Sequence, residues 1–124
     1  MQEPVNIPLK LYQGANLYYR VIYKDKATGT PIDITGYEAR MQVRETIEST
    51  TVLLDLTDAN GKIAITGVSG LLELNVPAAE TEALTLDNEK KTWVYDLELI
   101  DPSNSNFTIR IMEGKITAFP EVTR

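Results

Sequence analysis

The sequence predicts an all-β protein, an antiparallel β-sandwich of about seven to nine strands with one short helix. Apolar and polar residues alternate with a period of two over most of the chain. Turn residues recur at the spacing of roughly 8–12 residues that is typical of a sandwich. Only one segment has a helical pattern. The apolar faces of the strands are therefore expected to be buried by packing one sheet on another.

The strands of the first half follow this alternation. Ile7, Leu9 and Leu11 define the first strand, and Pro8 inside it predicts an edge strand or an irregular one. In "YEARMQVR", Ala39, Met41 and Val43 share one face and the charged residues share the other. Two further strands are predicted at 17–24 and in the short stretch "TPIDI".

A turn rich in polar residues lies in the middle of the chain. Asn60-Gly61 predicts a β-hairpin that joins a strand at 51–56 to a strand at 62–66. The same stretch, "DLTDANG", has some resemblance to a calcium loop. An EF-hand numbered back from Gly61 would need side-chain oxygen ligands at Leu56 and Gly67, whose side chains carry no oxygen. The sequence therefore favours a turn over a metal site.

The second half contains the helix and the most regular strand. "PAAETEAL" predicts a short helix with Pro77 at its first position, where the missing N–H is no loss. "LLELNV", "TWVYDLELI", "FTIRIM" and "KITAF" predict strands, and the last two are separated by a tight corner at Glu113-Gly114. The predicted core consists of the inward residues Leu17, Tyr19, Val21, Met41, Val43, Leu54, Leu56, Ile63, Ile65, Leu72, Leu74, Trp93, Tyr95, Leu97, Leu99, Ile109 and Ile111.

Composition narrows the possible functions. The 124 residues suggest a single β-sandwich domain, 1–124. With neither His nor Cys, the chain lacks imidazole bases, thiol nucleophiles and the usual zinc ligands. A formal charge of −6 disfavours binding to nucleic acid, because the phosphate backbone is also negative. The start, "MQEPVNIPLK", does not read as a signal peptide, and no segment reaches membrane-spanning length. We therefore expect a cytoplasmically made protein that is not an enzyme, has no cofactor or metal, binds no nucleic acid and does not insert into membranes.

Two groups of residues have a possible functional interpretation beside the plain structural one. Asp96 and Glu98 share one face of a strand and could do acid–base chemistry in a cleft, but a solvated sheet face is favoured. Tyr12, Tyr18 and Trp93 could form a ligand-binding surface, for example for carbohydrate. Trp93 distinguishes a sugar-binding surface from a packed core. Its place on the most regular strand predicts that it is buried, whereas a sugar-binding surface needs it exposed.

Six stretches in a fixed order carry a resemblance over most of the chain: "LYQGANLYYRVIY", "GTPIDITGYEARMQVRE", "VLLDLTDANGKIAI", "VPAAETEAL", "VYDLELIDP" and "MEGKITAFPEVTR". Their order resembles small proteins encoded among the tail genes of siphophages, and the N-terminal domain of the phage baseplate upper protein family. The resemblance implies an immunoglobulin-like sandwich in a tail tip, baseplate or fibre collar. It implies a virion protein that forms an oligomeric ring or an adaptor, with itself and other tail, baseplate or fibre proteins as partners.

The chain ends supply the predicted subunit contacts. Strand-like sequence continues almost to Arg124, which predicts a closing strand at a sheet edge, with Pro120 limiting further pairing. Deletion of 120–124 is expected to weaken assembly and to spare the fold, because the predicted core ends before Met112. The candidate interface residues are Ile7, Leu9, Arg20, Arg40, Arg44, Glu113, Pro120, Glu121 and Arg124.

Overall fold

Within residues 3–123, which the computed structural model describes apart from the side chains of Ser105 and Asn106, nine strands form two sheets around one apolar core. In chain order the elements are β1 (Val5–Asn6), β2 (Leu9–Tyr12), β3 (Leu17–Ile22), β4 (Glu38–Arg44), β5 (Leu54–Thr57), β6 (Ile63–Thr66), a 3₁₀ turn (Gly67–Ser69), β7 (Leu71–Val76), α1 (Ala78–Glu82), β8 (Lys91–Asp101) and β9 (Asn104–Phe119). The predicted helix is present, with Pro77 as its N-cap.

The strand order defines an immunoglobulin-like sandwich. The larger sheet runs β1–β9–β8–β4–β5, with β2 also paired to β9, and the smaller sheet runs β3–β7–β6. β1 and β2 are parallel to β9, whereas the other pairs are antiparallel. Apart from the first strand, this is the order of immunoglobulin domains, whose B, E and D strands face the G, F, C and C′ strands. The predicted fold class is confirmed.

The core has the residues that alternation predicted, and more. Every predicted core residue belongs to the apolar cluster, although Tyr19, Val21, Ile65 and Ile109 are only partly buried. Trp93 is 5% exposed, so its predicted burial is confirmed. The buried hydrophobic residues that the predicted core omitted are Leu9, Leu11, Ile34, Ala39, Val76, Leu86, Met112, Ile116 and Ala118.

The closing strand is not a sheet edge, contrary to the prediction. β9 lies between β8 on one side and β1 and β2 on the other, so the N-terminal strands form the edge. Met112, Ile116 and Ala118 are fully buried in the second half of β9. The core therefore extends beyond Met112, and the predicted limit was wrong because parallel pairing of the two chain ends joins residues more than 100 positions apart.

The predicted corner at Glu113-Gly114 is also absent, because β9 is continuous and contains a bulge instead. Leu97 pairs with Met112 while Glu98 pairs with Arg110, so Ile111 is an extra residue on β9. A bulge shifts the side-chain alternation by one position. Ile111 and Met112 are consequently both buried although they are adjacent in sequence.

Two other local predictions need correction. β5 pairs with β4 in the larger sheet and β6 pairs with β7 in the smaller one, so the Asn60-Gly61 turn connects the two sheets and does not close a hairpin. The stretch "TPIDI" contributes only one isolated bridge, Lys24 to Pro31. The Asp33 carboxylate there accepts hydrogen bonds from the N–H and hydroxyl of Thr35, a local turn that competes with strand pairing.

Pro8 interrupts the edge as predicted, and the core holds the interruption in place. The N-terminal strand divides into β1 and β2 around Ile7 and Pro8. The buried Tyr95 hydroxyl donates a hydrogen bond to the Ile7 carbonyl, and the Ile7 N–H donates to the Glu113 carbonyl at 3.0 Å. A Cβ at Gly114 would lie 2.7 Å from the Ile7 carbonyl oxygen. Gly114 thus allows the close approach of the two backbones.

We expect Gly114→Ala to lower the free energy of unfolding by ~1–3 kcal/mol, because the methyl group would push the Ile7 backbone away from the Tyr95 hydroxyl. Denaturant unfolding measures the change. Gly29→Ala is the control, since Gly29 also has a positive φ, +73°, but a Cβ there would meet no heavy atom within 4 Å. A loss no larger than that of the control would contradict the close approach.

Candidate interaction surface

The outer face of the larger sheet carries three rows of side chains that cross β4, β8 and β9. The register places in these rows Arg44–Val94–Lys115, then Gln42–Asp96–Glu113, then Arg40–Glu98–Arg110. The first row is basic around an apolar centre, the second is acidic, and the third has an acid between two bases. The alternation of charge along the strands brings opposite charges close together.

One ion pair lies within the third row, and two others connect the third row to the second. Arg40 Nε lies 2.8 Å from Glu98 Oε1, and Arg110 Nη1 lies 3.1 Å from Glu113 Oε1. Arg110 Nε lies 3.5 Å from Asp96 Oδ2. These side chains are between about a quarter and a half exposed, and a single pair of this kind contributes only ~0–1 kcal/mol to stability. Their combined effect is to fix the positions of charged groups on this face.

The Asp96 carboxyl has a raised pKa in this network. Partial burial raises the pKa of its carboxyl, and the neighbouring Glu98 carboxylate raises it further, while Arg110 opposes the change. Because the folded-state pKa lies above the unfolded one, protonation favours the folded state. The contribution of Asp96 to stability therefore grows as the pH falls through its folded pKa. The Asp96 and Glu98 side chains are 39% and 23% exposed, so both carboxylates are partly solvated.

The three rows line an open depression of about 790 Å³. Arg44 closes one side of it, donating from Nη1 to the Ser49 carbonyl at 2.6 Å and from Nη2 to Gln42 Oε1 at 2.9 Å. The bond to Ser49 ties β4 to the loop that carries Ile47. Ile47 also lines the depression and is 84% exposed. The depression therefore combines fixed charges with an exposed apolar side chain.

Three predicted interface residues, Arg40, Arg44 and Glu113, meet at this depression. Sequence reasoning missed Ile47, Val94, Arg110 and Lys115. Val94 shares its parity with Asp96 and Glu98, so alternation along β8 could have found it. Arg110 could not be found in this way, because only the bulge brings it to the same face as Glu113.

The other predicted interface residues lie elsewhere. Arg20 is exposed on β3 in the smaller sheet, so the structure does not bring it together with Arg40 and Arg44. Ile7 is partly buried, and Leu9 is 6% exposed within the core.

Beyond β9, Pro120 and Glu121 are partly buried. The Glu121 N–H donates to Gln13 Oε1 at 3.1 Å, which ties this segment to the turn after β2. Arg124 lies outside the described residues.

The three aromatic residues considered for sugar binding do not share a surface. Trp93 is in the core. Tyr12 stacks on Phe119 with ring centroids 5.1 Å apart on the larger sheet, whereas Tyr18 is on the smaller sheet, where its hydroxyl donates to Glu73. The combination of Tyr12, Tyr18 and Trp93 therefore cannot form one binding platform.

The polar residues of the "DLTDANG" stretch bond to the backbone. Asp58 Oδ1 accepts the Ala39 N–H at 3.0 Å. Asn60 Oδ1 accepts the N–H groups of Thr57 and Lys62, each at 3.0 Å. Over residues 3–123, no group of three or more acidic side chains is placed to hold a metal ion. No helix in the same range is long and apolar enough to cross a membrane.

Comparison with known proteins finds likeness of fold. No family model matches the sequence, and no curated protein matches it. Among solved structures, 107 chains match. The periplasmic chaperone SfaE is 15% identical with a TM-score of 0.48, and the match covers 92% of this chain and 53% of that one. A chain from the complex of ICOS with ICOS-L and an anti ICOS-L VNAR domain is 11% identical with a TM-score of 0.49, covering 95% and 56%.

A third solved structure is the N-terminal domain of phage TP901-1 ORF48. It is 12% identical with a TM-score of 0.44, and the match covers 96% of this chain and 90% of that domain. By contrast, this chain spans just over half the length of the first two structures.

Proposed function

We propose that the chain is a non-enzymatic structural protein of a bacteriophage virion, located in the tail tip, baseplate or fibre collar. It acts as an oligomeric ring or adaptor subunit that attaches fibres or receptor-binding parts to the tail. Its partners are copies of itself and other tail, baseplate or fibre proteins. The outer face of the larger sheet is the proposed subunit contact.

The observation that carries the structural role is the pairing of the charged groups in the depression. Arg40 pairs with Glu98, and Arg110 pairs with both Asp96 and Glu113. These ion pairs hold the charged groups in fixed positions on the sheet. A fixed pattern of opposite charges favours one docking orientation over others and steers association. Exposed Ile47 adds apolar area beside this pattern, and the buried centre of an interface is more apolar than its rim.

The resemblance of the ordered sequence stretches to siphophage tail proteins supports the virion part of the proposal. A sandwich with a rigid charged face is a suitable building block for such an assembly, because symmetric assembly needs one surface that matches a neighbouring copy or partner.

The composition of purified virions tests this function. Virions of the phage that encodes the chain should contain it at a fixed copy number per particle, measured by quantitative mass spectrometry. Gold-labelled antibodies against the chain should bind at the tail tip, baseplate or collar. Detection of the chain in infected cells but not in washed virions would overturn the proposal.

A further inference from the structure

The free edge of β3 has unpaired backbone groups. β3 pairs with β7 on one side, and no described strand lies on its other side. The Tyr23 N–H donates to the Gly70 carbonyl at 2.8 Å, which continues the β3–β7 ladder, and the Asn75 N–H donates to the Lys62 carbonyl at 2.9 Å, which continues the β6–β7 ladder. In antiparallel ladders alternate residues bond to the same neighbour. The backbone groups of Tyr18, Arg20 and Ile22 therefore point away from β7.

Other edges in the described part of the chain are protected. At β5, the side-chain amide of Asn60 donates to the Asp55 carbonyl at 2.9 Å and accepts the Thr57 N–H at 3.0 Å, so it occupies the place of a further strand. The edge formed by β1 and β2 is interrupted at Pro8, and β6 has only four residues. Interruption, shortness and coverage are the usual ways to prevent strand addition.

β3 has none of these protections over its six residues. Its outward side chains are Tyr18, which is 53% exposed, Arg20, and Ile22, which is 45% exposed. Strand addition uses such a row of alternate side chains for specificity and the free backbone groups for affinity.

The charge of Arg20 is not satisfied by its own sheet. Glu73 lies directly opposite Arg20 on β7. Its carboxylate, however, accepts the hydroxyl of Tyr18, and Arg20 has no carboxylate within 4 Å among the described residues. Opposite charges on directly facing strand positions attract. An acidic residue on an added strand would therefore complement Arg20.

We propose that β3 is a docking edge for an extended segment of another protein, which pairs with Tyr18–Ile22 as a fourth strand of the smaller sheet. The segment has an acidic side chain opposite Arg20 and apolar side chains two positions to either side, which contact Tyr18 and Ile22. This inference is independent of the virion role, since it rests only on the geometry and chemistry of the smaller sheet.

A second copy of the chain fits this edge less well. Symmetric antiparallel pairing that engages Tyr18, Arg20 and Ile22 together would place Tyr18 opposite Ile22 of the other copy and Arg20 opposite its equivalent. Two arginines directly opposite each other repel. The charge of Arg20 therefore favours a different, acidic strand as the occupant.

Amide hydrogen exchange with a defined peptide tests the proposal. The probe is the blocked peptide Thr-Val-Val-Glu-Val-Val-Thr, and its partner probe has Lys in place of Glu. In the free protein the amides of Tyr18, Arg20 and Ile22 should exchange readily, and those of Tyr19 and Val21 should be protected. Addition of the Glu peptide should slow exchange at the first three amides. The Lys peptide should bind about tenfold more weakly, because it replaces an attraction with a repulsion.

Charge reversal at Arg20 tests whether this residue causes the preference for the Glu peptide. Arg20→Glu should reverse the preference, so that the Lys peptide binds more tightly, while the control Lys10→Glu, at an exposed cation on β2 of the other sheet, should leave the preference unchanged. Absence of protection at millimolar peptide, or equal affinity for both peptides, would overturn the proposal. Protection that appears with rising protein concentration alone would overturn it in favour of a second copy.

Discussion

Replacing Trp93 with Ala should lower the free energy of unfolding by ~3–5 kcal/mol, which is comparable to the whole stability of a small domain. The indole is 5% exposed and lies in the core beside Ile116, its register partner on β9. Removing it leaves a cavity that the two packed sheets cannot close completely. Urea unfolding followed by circular dichroism measures the loss.

Thr92→Ala is the matched control, because Thr92 is the exposed neighbour of Trp93 on β8; it should change stability by less than ~0.5 kcal/mol. Trp93 is also the only tryptophan. Native emission that is already red-shifted and open to quenchers, or a small loss on replacement, would contradict its place in the core.

Replacing Ile116 with Ala should lower the free energy of unfolding by ~2–5 kcal/mol. Ile116 is fully buried and pairs with Leu9 on one side and Trp93 on the other. It therefore joins the N-terminal edge strand to the centre of the larger sheet. Thermal and denaturant unfolding of the variant test this placement.

Thr117→Ala provides the comparison, since Thr117 is the next residue on β9 and its side chain points outward. If Ile116→Ala were no more destabilising than Thr117→Ala, the second half of β9 would not belong to the core. Deletion of 120–124 should lower the free energy of unfolding by less than Ile116→Ala does, because the buried residues of β9 end at Ala118.

The sequence could predict which face of each strand is buried, because successive side chains of a strand point to opposite faces and the apolar ones mark the inward face. Met41, Val43, Tyr95 and Leu97 lie inward as alternation requires. Pro8 predicted an irregular edge strand because it has no backbone N–H to donate to a neighbouring strand. Both predictions depend on residues that are close together in the chain.

Partners of strands were harder to predict, because pairing depends on distant residues. Asn60-Gly61 has the composition of a hairpin turn, yet the Asn60 side chain covers the edge of β5 and the chain crosses to the other sheet. The parallel pairing of β2 with β9 joins the two ends of the chain. Neither arrangement has a signature within a short window of sequence.

The candidate surface was partly predictable for the same reasons. Arg40 and Arg44 were found from their outward phase on one strand, and both line the depression. Arg20 has the same phase on its own strand but belongs to the other sheet. Arg110 required knowledge of the bulge at Ile111, which depends on the register with β8.

Light-scattering mass of the purified chain tests the proposed assembly through the outer face of the larger sheet. The chain should have a mass of at least twice 13.9 kDa, the mass of one subunit. Val94→Lys should reduce it to a single subunit, because it would place three cations side by side in the row with Arg44 and Lys115. Ala64→Lys adds the same charge on the exposed face of the smaller sheet and should leave the mass unchanged. A mass of 13.9 kDa for the unaltered chain at every concentration, or an unchanged assembly in Val94→Lys with a native circular dichroism spectrum, would contradict this surface as the subunit contact.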